Sequence, residues 1–233
     1  MEQAKIESNE RKNNLDYINQ SKKSYGGFVN IKKYLFERYH SIPQLSDKGK
    51  ALVIERSTME KISGRKTNNC SLVSVARVIN YYGQKRGLTQ ITDDIYKIYG
   101  VIEKISKNYG YNDIKGTFPT KINDIMRDGF AAYGYKSKCK GVYTWDINTV
   151  KNEINKERPL LMSLLRGFYR DHTITVSGYS IWRAGEEYYP ILRVVDGWQP
   201  GYHYIDFRAF EEDLRNAGIG SFNTCEVNKE DRF

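Results

Sequence analysis

The chain lacks any apolar run approaching the roughly 20 residues that span a bilayer as a helix, so no transmembrane segment is expected. Its opening, MEQAKIESNERKNNLDYINQSKK, lacks the apolar centre of a signal peptide. Two compartments follow as alternatives: cytoplasmic, or secreted or cell-surface if the chain is a trimmed form. Cysteine is scarce, with Cys70, Cys139 and Cys225 far apart and no CxxC pair, which excludes a disulfide-dense scaffold and a zinc or redox dithiol site. A Cys139 to Cys225 bridge and three reduced thiols both stay open. With three histidines and no phosphate-binding loop (SGRKT lacks the earlier glycine and the preceding strand), neither a metal nor a cofactor is expected. No run of five like charges occurs, so the net charge of +9 reads as a solvated surface rather than a nucleic-acid footprint. No Pro/Gly/Ser-rich linker divides the chain, which favours one domain.

What the chain does have is core material: 39% hydrophobic residues and 19 tyrosines, whose amphipathic rings suit the edge of a packed interior. Residues 1–24 are polar and charged and read as an N-terminal extension, leaving 25–233 as the folded domain. KALVIERS reads as a short strand, and CSLVSVARVINYYG as a buried helix, apolar around most of its circumference. Asn68, Asn69 and Ser71 supply capping chemistry at its start, and Gly83 stands where a helix often stops. Helices are expected in TQITDDIYKIYGVIEKISKNYG, which Gly100 interrupts, in PTKINDIMRDGFAAYG and in DINTVKNEINKE, with a strand at YKSKCKGVYTW. From Pro159 the texture changes to strands: PLLMSLL, HTITVSGYS, EEYYPILRVVD and YHYIDF, then a helix RAFEEDLRNAG and a last strand FNTCEV. Helices first and strands later predict an α+β fold with an antiparallel sheet.

Cys70 opens the buried helix, where orphan N–H groups and the helix dipole favour a thiolate. His172 begins a strand on which His172, Ile174, Val176 and Gly178 share a face, a fixed position for a base. His40 and His203 are its rivals. Asp196 ends the apolar strand LRVVD before Gly197 and Trp198, where a carboxylate can accept an imidazole N–H and hold its tautomer. Each of the three also has a structural reading, as a small core residue, a satisfied buried histidine and a turn residue.

The order NNC plus apolar helix, DHTITVSGY and VVDGW resembles the papain-like cysteine peptidase superfamily over about residues 50–210. The helix ending NYYG and an aspartate in third place are most similar to its bacterial branch of bacteriocin-leader, double-glycine peptidases. The resemblance implies a papain-like fold: a helical side around a central nucleophile helix, packed on a twisted antiparallel sheet. It implies thiol-dependent hydrolysis of a peptide or amide bond, with Cys70 as nucleophile, His172 as base, Asp196 orienting it and Trp198 shielding that pair. A peptide or protein would be the substrate. Family members usually carry a glutamine six residues before the nucleophile as an oxyanion donor; here Gly64 stands there, and Asn68 and Asn69 are the candidate replacements. Two other functions fit the same residues: a Cys-dependent acyltransferase or transglutaminase-like enzyme, and a non-catalytic binding module that keeps the fold.

Overall fold

The computed structural model describes residues 24–165, 167–217 and 220–233. Residues 1–23, nearly all of the expected extension, lie outside the described residues. The elements run β1 (Gly26–Phe28), α1 (Ile31–Tyr39), β2 (Gln44–Ala51), α2 (Met59–Ser63), α3 (Cys70–Lys85), α4 (Ile95–Lys107), a 3₁₀ turn (Pro119–Lys121) and α5 (Ile122–Ala131). They continue with β3 (Lys138–Val142), α6 (Ile147–Asn155), β4 (Leu160–Leu164), β5 (His172–Ala184), β6 (Glu187–Val195), β7 (His203–Asp206), α7 (Phe207–Ala217) and β8 (Gly220–Glu226).

Among the described residues the strands form one antiparallel sheet in the order β1-β7-β6-β5-β4-β8-β3, with β2 also paired to β5. The long β5 pairs with β4 over its first half and with β2 over its second, while β6 lines its other edge. The fold is therefore α+β with an antiparallel sheet. No helix among the described residues is long and apolar enough to cross a membrane.

The helices follow from their residues. Asp94 accepts from the N–H groups of Tyr96 and Lys97 and so starts α4, whose Ile95, Ile98, Tyr99 and Ile102 form the buried face. Asp146 does the same for α6 through Asn148. Gly100 does not interrupt α4: it sits on the exposed side with open space around it, and the buried stripe carries the helix past it. Gly83 does not end α3 either. The helix runs on to Lys85 because Gly83 is a contact point, where an added Cβ would lie 2.9 Å from Ile91 Cγ2.

A third expectation fails at KALVIERS. The strand there stops at Ala51, and residues 52–58 form an irregular strap. Its backbone is satisfied mainly by side chains: Arg193 Nη2 donates to Leu52 O at 2.5 Å, and Ile54 N donates to the Tyr202 hydroxyl at 3.2 Å. Only Leu52 N reaches strand backbone, at Ser177 O, 2.7 Å away. Buried Leu52 and Ile54 supply the apolar signature of a strand without a ladder.

Cys139 and Cys225 face one another across β3 and β8 and form a disulfide, which settles the open cysteine question and leaves Cys70 outside any disulfide. α3 lies under the sheet almost wholly buried, from Ser71 to Tyr82.

Candidate active site

Cys70 is the first residue of α3 and is half-buried. The residue before it, Asn69, holds the N-cap position with φ −108° and ψ 16°, and its main-chain oxygen accepts the first helical bond, from Val73 N at 3.0 Å. As the leading residue of a helix, Cys70 contributes an N–H that no carbonyl four residues back within the helix can take. The N-terminal end of a 16-residue helix is thus directed at the sulfur's position, which favours the anionic thiolate.

The sulfur meets the sheet at Thr173. The Thr173 N–H donates to Cys70 Sγ at 3.4 Å, and the Thr173 carbonyl accepts from the Ser74 hydroxyl, one helical turn further along α3, at 3.1 Å. Both sides of one residue are therefore held by α3. The residue before it is His172, whose placement is set by Asp171 in the left-handed region (φ 46°) at the entry to β5.

His172 is buried, and its Nε2 lies 2.7 Å from the main-chain oxygen of Asp196. A carbonyl oxygen only accepts, so Nε2 carries the proton and Nδ1 is the basic nitrogen of the neutral ring. The indole of Trp198 stacks on the imidazole, with ring centres 4.6 Å apart and planes 29° from parallel, and the Tyr169 ring lies 6.0 Å from it. Trp198 thus covers the imidazole.

Asp196 presents a different atom from the one the sequence suggests: its main-chain oxygen, not its carboxylate, makes the 2.7 Å contact with the ring. The carboxylate turns inward. It accepts from Trp198 N at 3.0 Å and from the Tyr169 hydroxyl at 3.3 Å, and it lies 3.4 Å from His203 Nδ1. Burial, and after it the Asp196 charge, hold the Tyr169 phenol well above its ordinary range, so it stays a donor.

The model of the Peptidase_C39 like family matches residues 39–219, a span that includes Cys70, Thr173, His172, Asp196 and Trp198. The chain belongs to the Peptidase_C39 like family. No curated protein matches it. Membership agrees with the resemblance carried by the cysteine, histidine and aspartate motifs, and it points to cysteine peptidase activity.

The oxyanion candidates sit less favourably. Asn69 is fully buried and its amide donates to Tyr99 OH at 3.3 Å on α4. The half-buried Asn68 gives its amide to Ile114 O. Gly64, in the place of the family's glutamine, ends α2 in the left-handed conformation (φ 73°). Sequence reasoning missed Ser74, Arg77, Thr173, Tyr169 and the role of His203. One signal was present: Cys70, Ser74 and Arg77 recur at spacings of four and three, which puts them on one face of a helix rich in apolar residues.

Proposed function

We propose that the protein is a thiol-dependent peptidase of papain-like build, one domain over residues 25–233, with Cys70 as nucleophile, His172 as base and Asp196 orienting the imidazole. The observation that carries the reading is the Thr173 peptide, which ties the helix-opening sulfur to the residue after His172. Nδ1 of His172 takes the thiol proton, and the thiolate, favoured by the helix N-terminus, attacks the substrate carbonyl carbon. The charge that develops on the carbonyl oxygen falls to the Cys70 N–H at the head of α3. Asn68, less buried than Asn69, is the side-chain candidate as a second donor, once its amide leaves Ile114 O. The imidazolium returns its proton to the leaving amine, giving a thioester on Cys70. Water, deprotonated by the same imidazole, then hydrolyses it and restores the thiol.

Asp196 serves through two groups in this reading. Its main-chain oxygen fixes the tautomer, and its buried carboxylate, close by, stabilises the imidazolium. Trp198 keeps water from the His172 to Asp196 contact.

The test is cleavage of a mixed peptide library by the wild type and Cys70→Ala, followed by mass spectrometry with and without an added amine. Acid products that vanish in a folded Cys70→Ala variant are expected. Amide products in preference to acids would move the chain to acyl transfer. No turnover, with Cys70 alkylated by iodoacetamide at pH 6 no faster than a free thiol, would reduce it to a binding module.

A further inference from the structure

Arg77 stands seven residues after Cys70 on α3, two turns along the same face and about 10 Å down the axis. Its side chain is fully buried, an unusual place for a guanidinium. Nη2 donates to Ser57 O at 2.5 Å, and Nε lies 3.4 Å from Glu55 Oε2, so the guanidinium grips the strap of residues 52–58. Its other neighbour is the turn after Asp196. A Cβ added to Gly197 would meet Met59 Cγ at 2.6 Å and Arg77 Nη2 and Nη1 at 3.3 and 3.4 Å, so one side of the turn faces Met59 and the guanidinium with no room for a side chain between them. Gly197 has φ 76°, and its carbonyl oxygen accepts from Met59 N at 2.8 Å, tying the turn to the end of the strap.

We infer that Arg77 is a positioning residue of this centre: a buried cation on the nucleophile helix that fixes the Asp196–Gly197 turn, and through it the carbonyl oxygen on which His172 rests. The inference depends on the proposed roles of Cys70, His172 and Asp196. A hydrocarbon side chain would fill the same volume with less desolvation. What it would not supply is a positive charge beneath the turn. Burial pulls the Arg77 guanidinium below its usual value, and the charges of Glu55 and Asp196 oppose that pull, so both carboxylates act on it. Nη1 is buried without a hydrogen-bond acceptor among the described residues, on the side facing the turn. The charged and titratable groups around this unit are Glu55 from the strap, Asp196 from the turn, and, on the far side of Asp196, His203 from β7 and Tyr169 from the segment before β5.

The charge has a signed consequence. Arg77 favours nearby anions, so its loss makes the Cys70 thiolate harder to form, and the loss of Glu55, which offsets Arg77, makes it easier. The rate of Cys70 alkylation by iodoacetamide, followed from pH 4 to 9 by mass spectrometry, reads this without a known substrate. In Arg77→Met the acid limb of the profile should move up by about half to one pH unit, the size expected of one charge about 10 Å away at an effective dielectric between those of protein and water. Arg77→Lys keeps the charge and should leave the limb in place. Glu55→Gln should move it down. A scaffold role alone would lower thermal stability in these variants but give no opposite shifts. Superimposable limbs in all folded variants overturn the inference, and if Arg77→Met does not fold, the direction of the Glu55→Gln shift decides alone. A wild-type profile identical to that of a free thiol removes the proposed catalytic role itself, and the inference with it.

Discussion

Reduction of the Cys139–Cys225 disulfide is expected to cost more stability than any single side chain in the fold. The bridge joins positions 86 residues apart. Closing a loop of that length removes about 15 cal/mol/K of chain entropy from the unfolded state, about 4–5 kcal/mol at 25 °C. A domain of this size is stable by roughly 5–15 kcal/mol in total, so the loss takes a large share. With a urea slope near 2.5 kcal/mol/M, the unfolding midpoint of Cys139→Ala/Cys225→Ala should fall by about 1.5–2 M. The assay is urea unfolding of the oxidised protein and the double variant, followed by tyrosine fluorescence. Midpoints within about 0.3 M of each other would refute the loop-entropy argument. The result matters for activity measurements, because a reductant added to keep Cys70 as a thiol also attacks this bridge.

Two glycines inside helices should respond to alanine with opposite signs. Gly100→Ala, on an exposed face with nothing near its Cβ, should stabilise by about 0.5–1 kcal/mol, whereas Gly83→Ala should destabilise by about 1–3 kcal/mol as its methyl meets Ile91; urea midpoints read both. Ser74→Ala removes a buried hydroxyl from the Thr173 carbonyl and should cost about 1–2 kcal/mol. Because the N–H of the same residue, Thr173, contacts the Cys70 sulfur, that variant should also alkylate several-fold more slowly at pH 6; an unchanged rate would separate the Ser74 contact from the seat of the thiol.

The elements with strong periodicity were legible because their signals are local. A helix such as α3, apolar on nearly every side, can only be interior, and the β-branched run that opens β5 marks a strand, buried on both faces from His172 to Tyr179. The punctuation was less legible, since Gly83 and Gly100 look alike in sequence and differ only in what tertiary packing brings beside them. The strap at 52–58 shows the same limit from the other side. Leu52 and Ile54 bury their side chains as strand residues do, but their backbone partners, Arg193 and Tyr202, come from about 140 residues further along the chain.

The candidate site divides along the same line. Cys70, His172 and Asp196 can be chosen from residue type and local context, because a helix start, a strand start and a strand end are each written in neighbouring residues. Which atom of Asp196 meets the imidazole cannot, since it follows from the turn at Gly197. That turn takes a left-handed glycine, packs on Arg77 of a distant helix, and lets Tyr169 and His203 draw the carboxylate inward while the carbonyl oxygen faces His172. The orientation of the imidazole is therefore set by backbone, and backbone in such a turn is only as fixed as what lies beneath it. A cation buried under the turn and tied by Ser57 and Glu55 to the strap supplies that fixity, and it sits on the helix that carries the thiol. Helix, strap and turn thus form one unit, in which a change at any of the three contacts is felt at the imidazole.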